Sequence, residues 1–156
     1  FLPTISAALE DPRADVKAMD AMVFIKAAKQ EFDVAIVDST DPVEFAAGLF
    51  QSPFYRDIHN ALKKDGMVVA QTESPFTDRN VVRDAFREMS SVFPIVRMYW
   101  GAMPTYPSGM WTYTVGSKTA DPSAPLRPAP VGTRYYTSDI HRASFVLPPF
   151  VIDLLN

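Results

Sequence analysis

Phe32-Asp-Val-Ala-Ile-Val-Asp-Ser-Thr-Asp-Pro42 is the stretch whose reading decides how this chain folds. Residues 34–37 form a continuous, mostly β-branched run, which suits a parallel strand covered on both faces better than an alternating one. The run ends in two aspartates, Asp38 and Asp41, three residues apart and just before Pro42. In open α/β sheets ligands bind beyond the carboxyl ends of such strands, so both acids stand where a site is expected. Local chemistry offers another explanation, because Asp, Ser, Thr and Pro all favour turns. The stretch alone does not separate the two.

Working outward, Phe1 to Leu9 reads as the end of a helix, broken by Glu10-Asp11-Pro12-Arg13 before a short strand candidate at Ala14–Ala18. Asp20 opens a helix through about Lys29. After the acidic loop, Ser52 to Leu62 places Phe54, Tyr55, Ile58 and Leu62 on one helical side. Asp65-Gly66 turns the chain into a second apolar strand, Met67–Gln71. Helix, strand, helix, strand is the crossover pattern of a parallel sheet. Asp78 caps a helix carrying Val82, Phe86, Met89 and Phe93, and Pro94 stops it. Two further strands, Ile95–Ala102 and Met110–Ser117, are joined by so short a connection that they form an antiparallel hairpin at the sheet edge. Residues 119–133, rich in Pro, Ala and Ser, read as a surface connector, with short helical signals at Asp139–Phe145 and Phe150–Leu155.

The composition narrows the class. With 156 residues, 47% of them apolar, the chain is long enough for one domain or a large part of one. A formal charge of -3 without a dense basic patch argues against a nucleic-acid partner. The absence of cysteine removes disulfides, thiolate zinc sites and Cys nucleophiles together. No signal-peptide pattern or bilayer-spanning run occurs, so no membrane association is expected and a cytoplasmic protein is the default.

Three segments together carry a resemblance: Val37-Asp-Ser-Thr-Asp-Pro42, Pro104-Thr-Tyr-Pro-Ser-Gly109 and Tyr135-Tyr-Thr-Ser-Asp-Ile-His-Arg-Ala-Ser-Phe-Val-Leu-Pro148. Gln71-Thr-Glu-Ser-Pro-Phe76 and Met110-Trp-Thr-Tyr113 fit the same pattern. Over essentially its whole length the chain resembles the polyamine aminopropyltransferases, the spermidine synthases. The resemblance implies an α/β fold of partial Rossmann-like, methyltransferase type, with parallel strands plus an antiparallel edge hairpin. Residues 1–156 would be the carboxy-terminal portion of the catalytic domain, lacking its first strands and glycine-rich loop. The implied reaction moves an aminopropyl group from decarboxylated S-adenosylmethionine to putrescine, giving spermidine and 5'-methylthioadenosine. No metal and no permanently bound cofactor are implied; decarboxylated S-adenosylmethionine is a co-substrate.

The chemistry explains the residue types. A primary amine, by analogy with lysine at a pKa of about 10.4, is protonated near neutrality and has no lone pair for attack. A carboxylate must take that proton, and Asp38 matches the family's first loop aspartate. By the same resemblance Tyr106 orients the attacking nitrogen, and Asp41, Gln71 and Glu73 anchor the amine, with Ser39 and Thr40 of the acidic loop also at the substrate. Asp20 matches the aspartate that accepts from the adenine amino group, with Ala21 where a glycine often follows, and Pro42 and Phe45 lie on the nucleoside side. The chain departs from many relatives at Glu44-Phe45-Ala46, where they read Gly-Pro-Ala, and Phe76 stands where some carry tryptophan.

Other residues read as structural. His141 and the Tyr135-Tyr136 pair belong to a tail that packs or builds an interface, His59 to a helix surface or filler, and Trp100 and Trp111 to hairpin packing. In the implied topology the strand at Phe32–Val37 lies beside an absent first strand and is left as an open edge, and Ala14–Ala18 has lost its neighbour. Open edges are aggregation templates. The expectation is that an amino-terminal companion chain, or a cleaved half of one precursor, completes the fold, and that the assembly is a homo-oligomer. The competing functions are a noncatalytic assembly subunit and, further off, a methyltransferase.

Overall fold

These patterns become four strands and five α-helices in the computed structural model, which describes residues 6–40 and 44–156, with backbone alone at 44 and 45. The strands β1 (Phe32–Val37), β2 (Leu62–Gln71), β3 (Ile95–Ala102) and β4 (Met110–Ser117) form one sheet in the order β1-β2-β4-β3. β1 pairs with β2 in parallel, and β4 is antiparallel to both of its neighbours. The hairpin therefore sits at one edge, as its short connection requires. The helices are α1 (Ala21–Ala27), α2 (Ser52–Ala61), α3 (Arg79–Ser90), α4 (Ser138–Ser144) and α5 (Pro149–Leu155).

The core lies under α2 and α3. Phe54, Tyr55 and Ile58 of α2 meet Leu62, Val68 and Ala70 of β2 and Met89 and Phe93 at the end of α3. Burying each large apolar side chain of this kind contributes about 1.5–3 kcal/mol. A second cluster joins Val82 of α3, Met98 of β3 and Val151 of α5. Gly116 of β4 lets these layers approach, since a Cβ there would stand 2.7 Å from Phe93 Cγ.

The tail packs as expected. His141 Nε2 lies 2.8 Å from the Pro122 carbonyl, which only accepts, so Nε2 carries the proton and Nδ1 accepts from the Tyr136 hydroxyl at 3.1 Å. This bond clamps the connector to α4. Trp100 donates its indole N–H to the Val146 carbonyl at 3.1 Å, tying β3 to the segment after α4.

Several expectations need correction. Residues 14–18 form no strand: they are exposed and have no strand neighbour among the described residues, and a strand exists only through its pairing. The helix expected up to Leu9 is a 3-10 turn at Ala7–Glu10, and residues 1–5 lie outside the described residues. The helix opened by Asp20 ends at Ala27 rather than near Lys29, because Gln30 and Glu31 instead donate to the carbonyls of Asn60 and Ala61 that end α2. β2 begins at Leu62, and the register jumps from Phe32↔Leu62 to Val34↔Met67, so the Asp65-Gly66 turn becomes a bulge within the strand. Asp78 stands at the N-cap position of α3, its carbonyl accepting from the Val82 amide, but its side chain makes no capping bond; the carboxylate accepts from the Thr77 hydroxyl instead. β1 is parallel but is not covered on both faces, since Val34 is 57% and Ile36 76% exposed. No helix among the described residues is long and apolar enough to cross a membrane.

Candidate active site

The ladder brings the site together. Val37 pairs with Ala70, so Asp38, the next residue, emerges beside Gln71 at the end of β2. Gln71 pairs in turn with Tyr113 near the start of β4. Side chains two apart on a strand share a face, so Trp111 and Tyr113 project together. A cleft of about 600 Å³ results, lined by Asp38, Ser39, Thr40, Gln71, Met103, Tyr106, Trp111 and Tyr113. That volume suits a small-molecule ligand.

The wall is tightly bonded. Gln71, 8% exposed, donates through Nε2 to the Ser39 carbonyl at 2.9 Å and to Glu73 Oε1 at 3.0 Å. Its Oε1 accepts from the Trp111 indole N–H at 2.7 Å and from the Glu73 amide at 3.4 Å. The Ser39 hydroxyl is buried and has no partner among the described residues, leaving it available to a ligand. Glu73 holds a left-handed backbone, φ 72°, which is strained for a residue other than glycine. Its carbonyl accepts from both the amide and the hydroxyl of Thr112 at 2.9 Å, which fixes that conformation.

Tyr106 rises from the turn after Met103. The amide of Met103 bonds the Gly109 carbonyl, that of Gly109 the Tyr106 carbonyl, and that of Tyr106 the Met103 carbonyl. Its ring stacks on Trp111, and the phenol is about half exposed to the cleft. Tyr113 stacks on Tyr99 with centroids 4.9 Å apart. Burial first, and then the negative charge of Asp38, push the Tyr113 phenol upward, so it stays protonated and can donate. A carboxylate, phenol hydroxyls and aromatic faces around one small volume make a receptor for an organic cation with a proton to give up.

Of the expected residues, Asp38, Ser39, Thr40, Gln71 and Tyr106 line the cleft. Glu73 does not line it but lies 3% exposed behind Gln71. Asp20 and Ala21 are also absent from its lining; Asp20 caps α1, accepting from the amides of Met22 at 2.8 Å and Val23 at 3.4 Å through one oxygen. Asp41 and Pro42 fall outside the described residues, as does the side chain of Phe45. Trp111, read as hairpin packing, is part of the wall, and Tyr113 and Met103 were not singled out; the signal for the first two was the strand alternation of 111 and 113.

A family of known proteins shares this sequence: the Spermine/spermidine synthase domain matches residues 1–126. The chain belongs to the spermine/spermidine synthase family. Among curated relatives, the polyamine aminopropyltransferase of Shouchella clausii is 52% identical over the whole chain. Among solved structures, a spermidine synthase in complex with the transition state analogue AdoDATO superposes with a TM-score of 0.87 at 41% identity over 99% of the chain. The spermidine synthase of Thermotoga maritima gives 0.85 at 42% identity, also over 99%. The partial methyltransferase-like α/β fold is therefore that of the spermidine synthases. The chain spans 58% of the Shouchella relative and 55% and 54% of the two solved chains.

Proposed function

We propose that this chain is the amine-side half of a polyamine aminopropyltransferase that moves an aminopropyl group from decarboxylated S-adenosylmethionine to putrescine. The observation that carries this reading is the juxtaposition of Asp38, Tyr106 and the Gln71 network around one cleft at the carboxyl ends of β1 and β2. In the reaction the putrescine nitrogen attacks the methylene bonded to the sulfonium. The N–C bond forms, the C–S bond breaks, and its electron pair returns to sulfur, releasing neutral 5'-methylthioadenosine. The proton on the attacking nitrogen passes to the Asp38 carboxylate, while the Tyr106 hydroxyl orients that nitrogen. Asp41, Ser39, Thr40 and the Gln71–Glu73 pair hold the diamine's distal ammonium, Glu73 acting from behind Gln71. Asp20, Ala21, Pro42 and Phe45 serve the nucleoside side. Alignment of nitrogen, carbon and sulfur supplies much of the rate, since near-attack positioning is worth about 7–11 kcal/mol.

The remaining half of the site comes from an amino-terminal polypeptide, within the same protein or as a companion chain, and the assembly is a cytoplasmic homo-oligomer. β1 is an edge strand among the described residues, and its face carrying Val34 and Ile36 is uncovered; both support a further segment completing the sheet. The test is to supply the amino-terminal half of a relative and assay with both substrates. Spermidine and 5'-methylthioadenosine in equal amounts support the proposal. A stable assembly without turnover assigns the chain a structural role, and S-adenosylhomocysteine formed from S-adenosylmethionine replaces it with methyl transfer.

A further inference from the structure

We propose that Trp111 is the positioning residue of the amine site, acting through the orientation of the Gln71 side-chain amide. This inference rests on the aminopropyltransferase reading and adds a residue whose side chain touches both halves of the cleft wall.

A glutamine side chain has one accepting and one donating end, and turning it over exchanges them. Gln71 faces two acceptors, the Ser39 carbonyl and Glu73 Oε1, both reached by its Nε2. On its other side stands the indole N–H of Trp111, which only donates, 2.7 Å from Gln71 Oε1. The pattern has one satisfied orientation. Removing the indole N–H leaves a nearly buried oxygen short of its strong donor, which weakens the hold on both acceptors.

Those acceptors are functional neighbours. Ser39 directly follows Asp38, so the bond to its carbonyl pins the loop that carries the base to the end of β2. The other face of the same indole seats Tyr106, with ring centroids 4.4 Å apart. One side chain therefore sets the acidic loop by its edge and the tyrosine loop by its face. Both must meet the same amine nitrogen, and positioning errors of about 1 Å cost roughly 100-fold in rate.

The test is a double-mutant cycle in the reconstituted assembly, with putrescine as acceptor. Trp111→Phe keeps an aromatic face for Tyr106 and removes the N–H; Gln71→Leu removes its partner. The expected result is a loss of about tenfold in kcat/KM for putrescine from Trp111→Phe, the size of one hydrogen bond. KM for decarboxylated S-adenosylmethionine stays unchanged, and the same substitution in the Gln71→Leu background costs nothing further. Equal losses in both backgrounds, or no loss at all, overturn the proposal. Hydrogen exchange gives a readout independent of turnover: the Trp111 indole proton should be protected in the wild-type assembly and lose protection in Gln71→Leu. Protection unchanged by Gln71→Leu also overturns it. If the wild-type assembly shows no turnover, the functional reading fails, and exchange alone decides whether the indole is held by Gln71.

Discussion

The ring of Tyr106 lies on the indole of Trp111, centroids 4.4 Å apart and planes 27° from parallel. The stack gives an exposed phenol a fixed floor at the end of a turn closed by its own backbone bonds. Tyr106→Phe preserves the floor and deletes the hydroxyl, so kcat should fall about 10- to 100-fold with little change in thermal stability. Steady-state kinetics beside a melting curve checks this. A variant with unchanged kcat means the hydroxyl does not meet the nitrogen.

Three buried threonines support the Gln71–Glu73 turn from behind. Thr72 Oγ1 lies 3.1 Å from Thr112 Oγ1 and 3.2 Å from Thr114 Oγ1, and Thr112 also bonds the Glu73 carbonyl. Thr112→Val keeps the shape and removes one bond from each partner, while the Thr112 amide still meets the Glu73 carbonyl and Thr114 still meets Thr72, at a cost of about 0.5–1.5 kcal/mol. Denaturant unfolding should show that loss, together with a raised KM for the diamine as the strained Glu73 backbone relaxes.

Gly116 faces Phe93 and Met89, and a Cβ placed there meets Phe93 Cδ2 at 2.8 Å and Met89 Sδ at 3.0 Å. Gly116→Ala must push apart the seam between β4 and the end of α3. Overpacking of this kind costs about 1–3 kcal/mol. Equilibrium unfolding that matches the wild type would mean the seam yields freely.

His59 sits edge-on to Phe93, ring centroids 5.1 Å apart. Burial first, then the charge of Lys118, lower its pKa from 6.5, with a smaller opposing effect from the Asn60 side chain. The unfolded chain therefore binds the proton more readily than the folded one. The contribution of neutral His59 is fully present above pH 6.5 and is lost as the pH falls from there through the depressed folded value. His59→Asn should flatten that part of the stability profile, measured by unfolding at a series of pH values. Parallel profiles for the two proteins would contradict the assignment.

How much of this was legible in the sequence follows from which forces are local. β1, the β3–β4 hairpin, the Asp20 cap and the apolar stripe of α2 are set by period, turn length and nearest neighbours, and they appear where the residues place them. The acidic loop and Tyr106 were visible because their motifs are contiguous. The strand at residues 14–18 was not a local matter, since strand identity depends on a neighbour in space. The roles of Trp111 and Tyr113 were also hidden: Trp111 meets Gln71 across 40 residues of sequence. That contact follows only once Gln71 is registered against Tyr113. Glu73 was read as a contact residue from its motif, and only packing showed it turned behind Gln71.

The central claim is that Asp38 removes the proton from the attacking amine, and single-turnover formation of 5'-methylthioadenosine by Asp38→Asn tests it most directly. The reconstituted assembly would be saturated with decarboxylated S-adenosylmethionine and putrescine. The account predicts a rate about 100- to 10,000-fold below wild type, the range of general-base contributions, in an assembly that still folds and binds the nucleoside. A rate within a few-fold of wild type would contradict it, because the proton would then leave by a route that does not need Asp38.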